Sequence, residues 1–297
     1  MFSQLGLIGC GLMGGSFALA LKRAGLVKRV VGYSKSPSTT DTARRMGVID
    51  TAAESALQAI SGADLVLLAV PVSATEATLR AVRHMLDPRV LVMDVGSTKC
   101  DVVETAQKVL GPRLASFVPA HPIAGKETAG VQSADALLYQ GRQVILTPLP
   151  QTDAAMVQKA TDLWSALGCQ VLKMTPQNHD AAFAAVSHLP HLLAFAYFSA
   201  VANQAAGRDF LSLAGPGFRD FTRIAASDPQ VWRDIFMANK TEVLAQSRQF
   251  RAVLDQMEQA IQAQDAKALE NLLRPVSEAR GKWQLGQLGP LSTAKPR

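Results

Sequence analysis

The string LGLIGCGLMGGS, residues 5–16, places Gly9, Gly11 and Gly14 at G-x-G-x-x-G spacing between an apolar run and the opening of a helical pattern. Such a segment folds in few ways. Gly9 permits a tight turn after a strand, Gly11 lets backbone approach a ligand with no side chain in the way, and Gly14 lets helix and strand pack closely. Leu12 and Met13 then open a helix whose first N–H groups are free to meet phosphates. A second strand ends about 20 residues further on, as a pyrophosphate-binding strand-turn-helix-strand unit requires. A glycine-rich turn that binds nothing is the competing reading, and the flanking strand and helix argue against it.

At the end of that second strand, VVGYSKS, the ribose 2′ position would face Ser34 and Lys35. A carboxylate there suits the 2′-hydroxyl of NAD, whereas a hydroxyl and an ammonium suit a 2′-phosphate. NADP is therefore expected over NAD, against the alternative that this is a solvated loop without influence on selectivity. Ala69, Val70 and Pro71 end the next long strand and are expected over the cofactor, because ligands of such sheets sit beyond the carboxyl ends of the strands.

Strand-like runs at 5–8, 30–33, 65–70, 90–94, 116–118, 143–147 and 170–174 alternate with helical patterns at 12–23, 74–85, 102–110 and 154–167. That alternation predicts an α/β Rossmann-type N-terminal domain with a mostly parallel sheet. The runs LVLLAV and VLVMDV are apolar throughout, as strands buried on both faces must be. Beyond Met174 nothing reads as a strand, so an all-helical C-terminal domain is expected. The division is 1–174 for dinucleotide binding, 175–280 for substrate binding and dimerisation, and 281–297 as a mobile tail. Ser227 with Gln230 resembles a capping box ahead of a helix, supported by Pro229. Phe250, Val253, Leu254, Met257 and Ile261 mark one apolar helix face.

Basic residues number 30 and acidic residues 24, scattered and with few aromatics between them, which argues against nucleic acid and suits small anionic ligands. Cys10, Cys100 and Cys169 are odd in number and form no CxxC pair, pointing to a reducing cytoplasm, with Cys10 a packing residue. The run from Leu5 to Ala20 is broken by five glycines and lacks a basic flank, so no signal peptide is expected. The long apolar stretch 181–206 carries His188, Pro190, His191, Asn203 and Gln204, and is read as a buried helix rather than a membrane span. The apolar helical segments after residue 180 exceed what one small domain covers, so a homodimer is expected.

The chemistry is expected beyond two further strands. One is followed by Gly96-Ser97-Thr98-Lys99, the other by the loop Ala120-His121-Pro122-Ile123-Ala124-Gly125-Lys126-Glu127. A histidine there can take the proton of a hydroxyl whose carbon gives hydride to a nicotinamide, and Ser97 can orient the ring or bond the same hydroxyl. A structural hydrogen bond is the alternative for a single histidine in a proline-glycine loop.

Five strings in order, GLIGCGLMGGS, DVGSTK, HPIAGKETAG, SHLPHLLAFA and GPGFRDFTRIAASDPQVWRDI, give the chain a resemblance along nearly its whole length. It resembles the prephenate and arogenate (cyclohexadienyl) dehydrogenases of tyrosine biosynthesis. The resemblance implies that His121 is the catalytic base and Ser97 its support, that Arg223 binds a substrate carboxylate, and that His191 contacts substrate from the helical domain. Glu127, Asp220 and Trp232 match positions around the site. Lys126 stands where other members can have a smaller neutral residue, which bears on recognition of the substrate side chain. In the family, hydride loss is coupled to loss of the ring carboxylate as CO2, which makes the ring aromatic. No regulatory domain is expected after Gly281.

Some alternatives stay open on residues alone. Arg223 and Asp220, three apart, can pair on one helix turn. His188 and His191 have the spacing of a metal pair, but no further ligands accompany them, so no metal is expected. A β-hydroxyacid dehydrogenase would share the glycine loop and a helical domain, but would need a lysine-bearing helix motif not apparent here. A non-catalytic NADP-binding sensor would have no need of His121, Ser97 and Arg223 together.

Overall fold

The computed structural model describes residues 1–126 and 128–284. Its first half alternates strand and helix: β1 (Phe2–Ile8), α1 (Leu12–Arg23), β2 (Val27–Tyr33), α2 (Pro37–Arg45), β3 (Thr51–Ala52), α3 (Ala56–Ile60), β4 (Leu65–Leu68), α4 (Thr75–Val82), β5 (Leu91–Asp94), α5 (Cys100–Leu110) and β6 (Phe117–Val118). These strands form one parallel sheet of order β3-β2-β1-β4-β5-β6. The order reverses between β1 and β4, which opens a crevice at their carboxyl ends. Leu65 and Leu67 join one apolar cluster, and Val66 and Leu68 the other, so the period of two buries both faces of β4.

The chain then runs through β7 (Ala120–Pro122), β8 (Gln143–Leu146), α6 (Ala154–Ala166) and β9 (Gln170–Lys173). These later strands do not extend the large sheet as the sequence pattern suggests. They form a separate three-stranded sheet, with β7 antiparallel and β9 parallel to β8. Pro119 explains the break, because it has no N–H to continue the ladder after Val118. His121, expected on a loop, therefore lies inside β7, paired with Ile145. On the face of the large sheet that carries α1, Trp164 of α6 packs against Phe17 of α1 at 4.9 Å and against Tyr139 at 5.2 Å. The Tyr139 hydroxyl donates to the Met13 carbonyl at 2.6 Å, tying this layer to the opening turn of α1.

After β9 the described chain is helical. It comprises α7 (Pro176–Phe183), a π-helical turn (Ala184–His188), α8 (Leu189–Ala202), α9 (Gly207–Ser212), α10 (Pro216–Thr222), α11 (Pro229–Ala238), α12 (Lys240–Gln262) and α13 (Ala266–Lys282). Thr175 caps α7 by accepting the Asn178 N–H at 3.2 Å. The π turn precedes Pro190, whose missing N–H would leave an ordinary helical ladder unpaired. The Ser187 carbonyl, one turn before His191, accepts the His191 Nδ1–H at 2.9 Å.

Two sequence expectations change in this half, the cap of one helix and the burial of another. Asp228, not Ser227, caps α11: its carboxylate accepts the N–H groups of Gln230 and Val231, while the Ser227 hydroxyl donates back to Ile224. A carboxylate one residue nearer the helix competes better for its N–H groups. The run Pro176–Ala202 is long and apolar enough to cross a membrane by length and composition, yet only 22% of its most apolar window is buried, so it is not a buried helix within one chain. Of the expected tail, Gly281 and Lys282 belong to α13, and residues 285–297 lie outside the described residues. The chain divides into two compact units, 1–240 and 241–297, so α7 to α11 belong to the same unit as the sheet. In the second unit Phe250, Val253, Leu254 and Ile261 are all exposed.

Candidate active site

The glycine loop crosses the crevice between β1 and β4. Gly9 has φ +100°, and a methyl group on it would come within 2.1 Å of the Ala69 carbonyl oxygen. One on Gly14 would come within 2.0 Å of the Gly9 oxygen. Neither position accepts a side chain, and the close approach of α1 to β4 depends on both. Gly11 differs, since a methyl there would meet nothing within 4 Å. No side chain caps α1, and Gly11, Leu12 and Met13 at its start line a cavity, an arrangement that suits a pyrophosphate. The chain therefore fits a dinucleotide. Ser34 is half-buried and its Oγ accepts the Cys10 N–H at 2.8 Å, joining the end of β2 to the glycine loop, while Lys35 is exposed beside it. Burial pushes the Cys10 thiol up to about 11, consistent with a packing role.

A cavity of about 350 Å³ opens on this loop. It brings together Gly11, Leu12, Met13, Ala69, Val70, Pro71, Ser97 and Lys126. Helix α11 closes it with Val231, Asp234 and Ile235, and the Ser73 hydroxyl donates to Asp234 at 2.5 Å. The Lys126 ammonium is held at the rim by Asp135 at 3.0 Å and the Ser133 carbonyl at 3.2 Å.

His121 does not line this cavity but stands next to residues fixed to its wall. Lys99 and Asp94 form a fully buried ion pair at 2.5 Å. Asp94 accepts the Gly96 N–H at 2.8 Å and the Ala120 N–H at 3.0 Å, and Lys99 donates to the Ala120 carbonyl at 2.8 Å. The residue preceding His121 is thus held at both backbone groups. The His121 ring meets His179 of α7, Nδ1 to Nε2, at 2.8 Å, and His179 Nδ1 meets Asp180 Oδ1 at 2.7 Å. The Asp180 carboxylate accepts the N–H groups of Lys99 and Cys100, each at 2.8 Å. Asn239 donates to the Asp180 carbonyl at 2.8 Å and meets His188 Nδ1 at 3.1 Å, and His188 lies against the backbone of Ser97.

Burial, then the nearby His179, Lys99 and His188, hold the His121 pKa well below the ordinary histidine range. Burial also lowers His179 despite Asp180, and takes His188 to about 4. At neutral pH these rings are uncharged, and a neutral His121 is a competent proton acceptor.

A second group forms on the helical segment. The His191 ring stacks on Trp232 at 3.5 Å and 17°, with Arg223 close enough to disfavour a charge on it. Arg223 is exposed in the turn after α10. Asp220 is exposed and paired with Arg219 at 3.1 Å. Glu127 lies outside the described residues. Sequence reasoning named Lys99 without a role and passed over Asp94, His179, Asp180 and Asn239. A carboxylate in the apolar run VLVMDV and the pair His179-Asp180 were the available signals.

Taking hydride from a carbinol calls for a dinucleotide site and a neutral base tied close to it; the glycine loop opens the cavity, and Asp94 and Lys99 join its wall at Gly96 to the strand that carries His121. The class so defined is an NAD(P)-dependent oxidoreductase. A model described as the nucleotide-binding domain of prephenate dehydrogenase matches residues 17–173, and one described as its dimerization domain matches residues 175–275. Prephenate dehydrogenase of Bacillus subtilis is 34% identical over 291 residues, covering 96% of this chain and 77% of that protein. Cyclohexadienyl dehydrogenase of Zymomonas mobilis is 34% identical over 282 residues, covering 94% and 96%. The crystal structure of Aquifex aeolicus prephenate dehydrogenase in complex with hydroxyphenyl propionate and NAD+ has a TM-score of 0.88 at 35% identity, covering 95% of this chain and 98% of that one. Synechocystis arogenate dehydrogenase has a TM-score of 0.80 at 29% identity, covering 95% and 100%. The chain belongs to the prephenate dehydrogenase family.

Proposed function

We propose that this chain carries out oxidative decarboxylation of prephenate and/or arogenate in tyrosine biosynthesis, with NADP or NAD as hydride acceptor. The observation that carries the reading is a neutral His121, anchored by a buried ion pair that also fixes the wall of the cavity opening on the glycine loop. The dinucleotide, held by Gly9, Gly11, Leu12, Met13 and Gly14 with Ala69, Val70 and Pro71 over it, supplies the hydride acceptor. His121 accepts the proton of the ring hydroxyl as hydride leaves the same carbon. The ring carboxylate then departs as CO2, and its bonding pair enters the ring to make it aromatic. His121 returns the proton to the phenolate oxygen, so the base is regenerated and no net proton is released.

The remaining groups would bind and orient. Ser97, on the cavity wall, would bond the reacting hydroxyl. Arg223 offers a guanidinium fork to the side-chain carboxylate. His191 and Trp232 present a stacked surface to the ring. Lys126, Glu127 and Asp220 would lie at the periphery and tune recognition of the side chain as keto acid or amino acid.

His121→Asn should lower turnover by roughly 100-fold or more while leaving cofactor affinity intact, as loss of a general base does. Steady-state rates and the fluorescence of bound reduced cofactor measure the two quantities, and near-normal turnover would remove His121 from the mechanism. Preference for NADP rests on Ser34 and Lys35. An aspartate at 34 can still accept the Cys10 N–H but repels a 2′-phosphate, so Ser34→Asp should move kcat/KM towards NAD. Unchanged selectivity would discard that assignment. The exposed apolar faces of α8 and α12 fit a cytoplasmic homodimer. Sedimentation should give twice the 31.6 kDa chain mass, with the enzyme in the soluble extract, and a monomer would count against it.

A further inference from the structure

We propose that His179 and Asp180 are positioning residues that fix which ring nitrogen of His121 is left unprotonated. This rests on the reading of His121 as the base and adds to it how the base is kept in its working form. The hydrogens along the chain can be assigned from its partners alone. Both Asp180 oxygens face backbone N–H groups, Oδ1 that of Lys99 and Oδ2 that of Cys100, so neither can carry a proton without opposing a donor. The hydrogen between Asp180 and His179 therefore sits on His179 Nδ1. A neutral His179 then has a bare Nε2, and the hydrogen in the 2.8 Å contact belongs to His121 Nδ1. His121 Nε2 is left with its lone pair.

The groups facing these rings agree with that assignment. His121 is faced by His179, Lys99 and His188, and His179 by Asp180, Lys99 and Asp94. With Lys99 beside it and solvent excluded, a doubly protonated His179 is disfavoured, so the reversed tautomer chain does not form. Phe183 packs on both rings, at 4.8 Å from His121 and 4.5 Å from His179, and keeps either from swinging away. When His121 takes up the substrate proton, its Nδ1–H still donates to His179, whose orientation Asp180 holds. The logic is that of a histidine base oriented by a carboxylate, with one more imidazole between them. The anchor lies on two elements: Asp180 leaves α7, while the N–H groups that hold it belong to the start of α5.

The test compares His179→Phe, which keeps an aromatic body against Phe183 but has no acceptor, with His179→Gln, whose amide oxygen can accept from His121 Nδ1. With prephenate and saturating cofactor, His179→Phe should lose about 100-fold in kcat, with KM and cofactor affinity nearly unchanged, and His179→Gln should recover at least about tenfold of that loss. In the wild-type enzyme at pH 7, ¹⁵N NMR of the histidine rings, assigned with His121→Asn, should find the His121 proton on Nδ1. This last measurement decides the matter even if His179→Phe does not fold. Equal impairment of the Phe and Gln variants, a His179→Phe rate within about threefold of wild type, or a His121 proton on Nε2 would each overturn the proposal. An inactive His121→Asn beside an unimpaired His179→Phe would overturn the positioning role alone. A fully active His121→Asn would bring down the base assignment as well.

Discussion

The buried pair of Lys99 and Asp94 is the interaction on which the site depends. Removing two charges from water costs several kcal/mol per ion, and only close geometry with further hydrogen bonds offsets it. Both conditions hold: the ions meet at 2.5 Å, and their remaining valences take the Gly96 N–H and both backbone groups of Ala120. One pair thus fixes the cavity wall at Gly96 and the strand that carries His121. Losing either partner would leave a lone buried charge, an effect of about 3–5 kcal/mol. The N–H of Lys99 also holds Asp180, so the large sheet and the helical segment meet at the start of α5.

The position of His121 in β7 rather than on a loop bears on its proposed role as the base. A ladder paired to Ile145 restricts His121 more than a proline-glycine loop would, and a restricted base keeps its orientation between turnovers. The glycine cradle is fixed in a complementary way. Gly9 and Gly14 are closed against Ala69 and each other, whereas Gly11 is open, so the loop is rigid where it packs and bare where a phosphate would lie. The Ser34 hydroxyl belongs to this framework as well as to the expected ribose site, because it accepts the Cys10 N–H.

Local spacing made the cofactor half readable. Glycines at fixed intervals, an apolar strand before them and a helix after them are neighbours in sequence and in space. The parallel sheet and helical second half followed from the change of period near Met174. What stayed hidden depends on distance along the chain. His121 and His179 are 58 residues apart, and Cys100 and Asp180 are 80 apart, so no local pattern marks His179 or Asp180. Three-residue β7 is too short for a periodic signal, and Ser227 and Asp228 are adjacent residues that can both cap a helix. Composition showed that Pro176–Ala202 is apolar but could not say what covers it.

Family membership joins these parts into one claim, that hydride removal and carboxylate loss occur in a single turnover on one cyclohexadienyl ring. The measurement that bears on it most directly counts both products. Purified enzyme is given prephenate or arogenate with NADP+ or NAD+, and reduced cofactor and CO2 are quantified in the same reaction. The account predicts one equivalent of CO2 for each reduced cofactor formed, with the higher rate on NADP+. Reduced cofactor without CO2, or no turnover of either substrate, would contradict it.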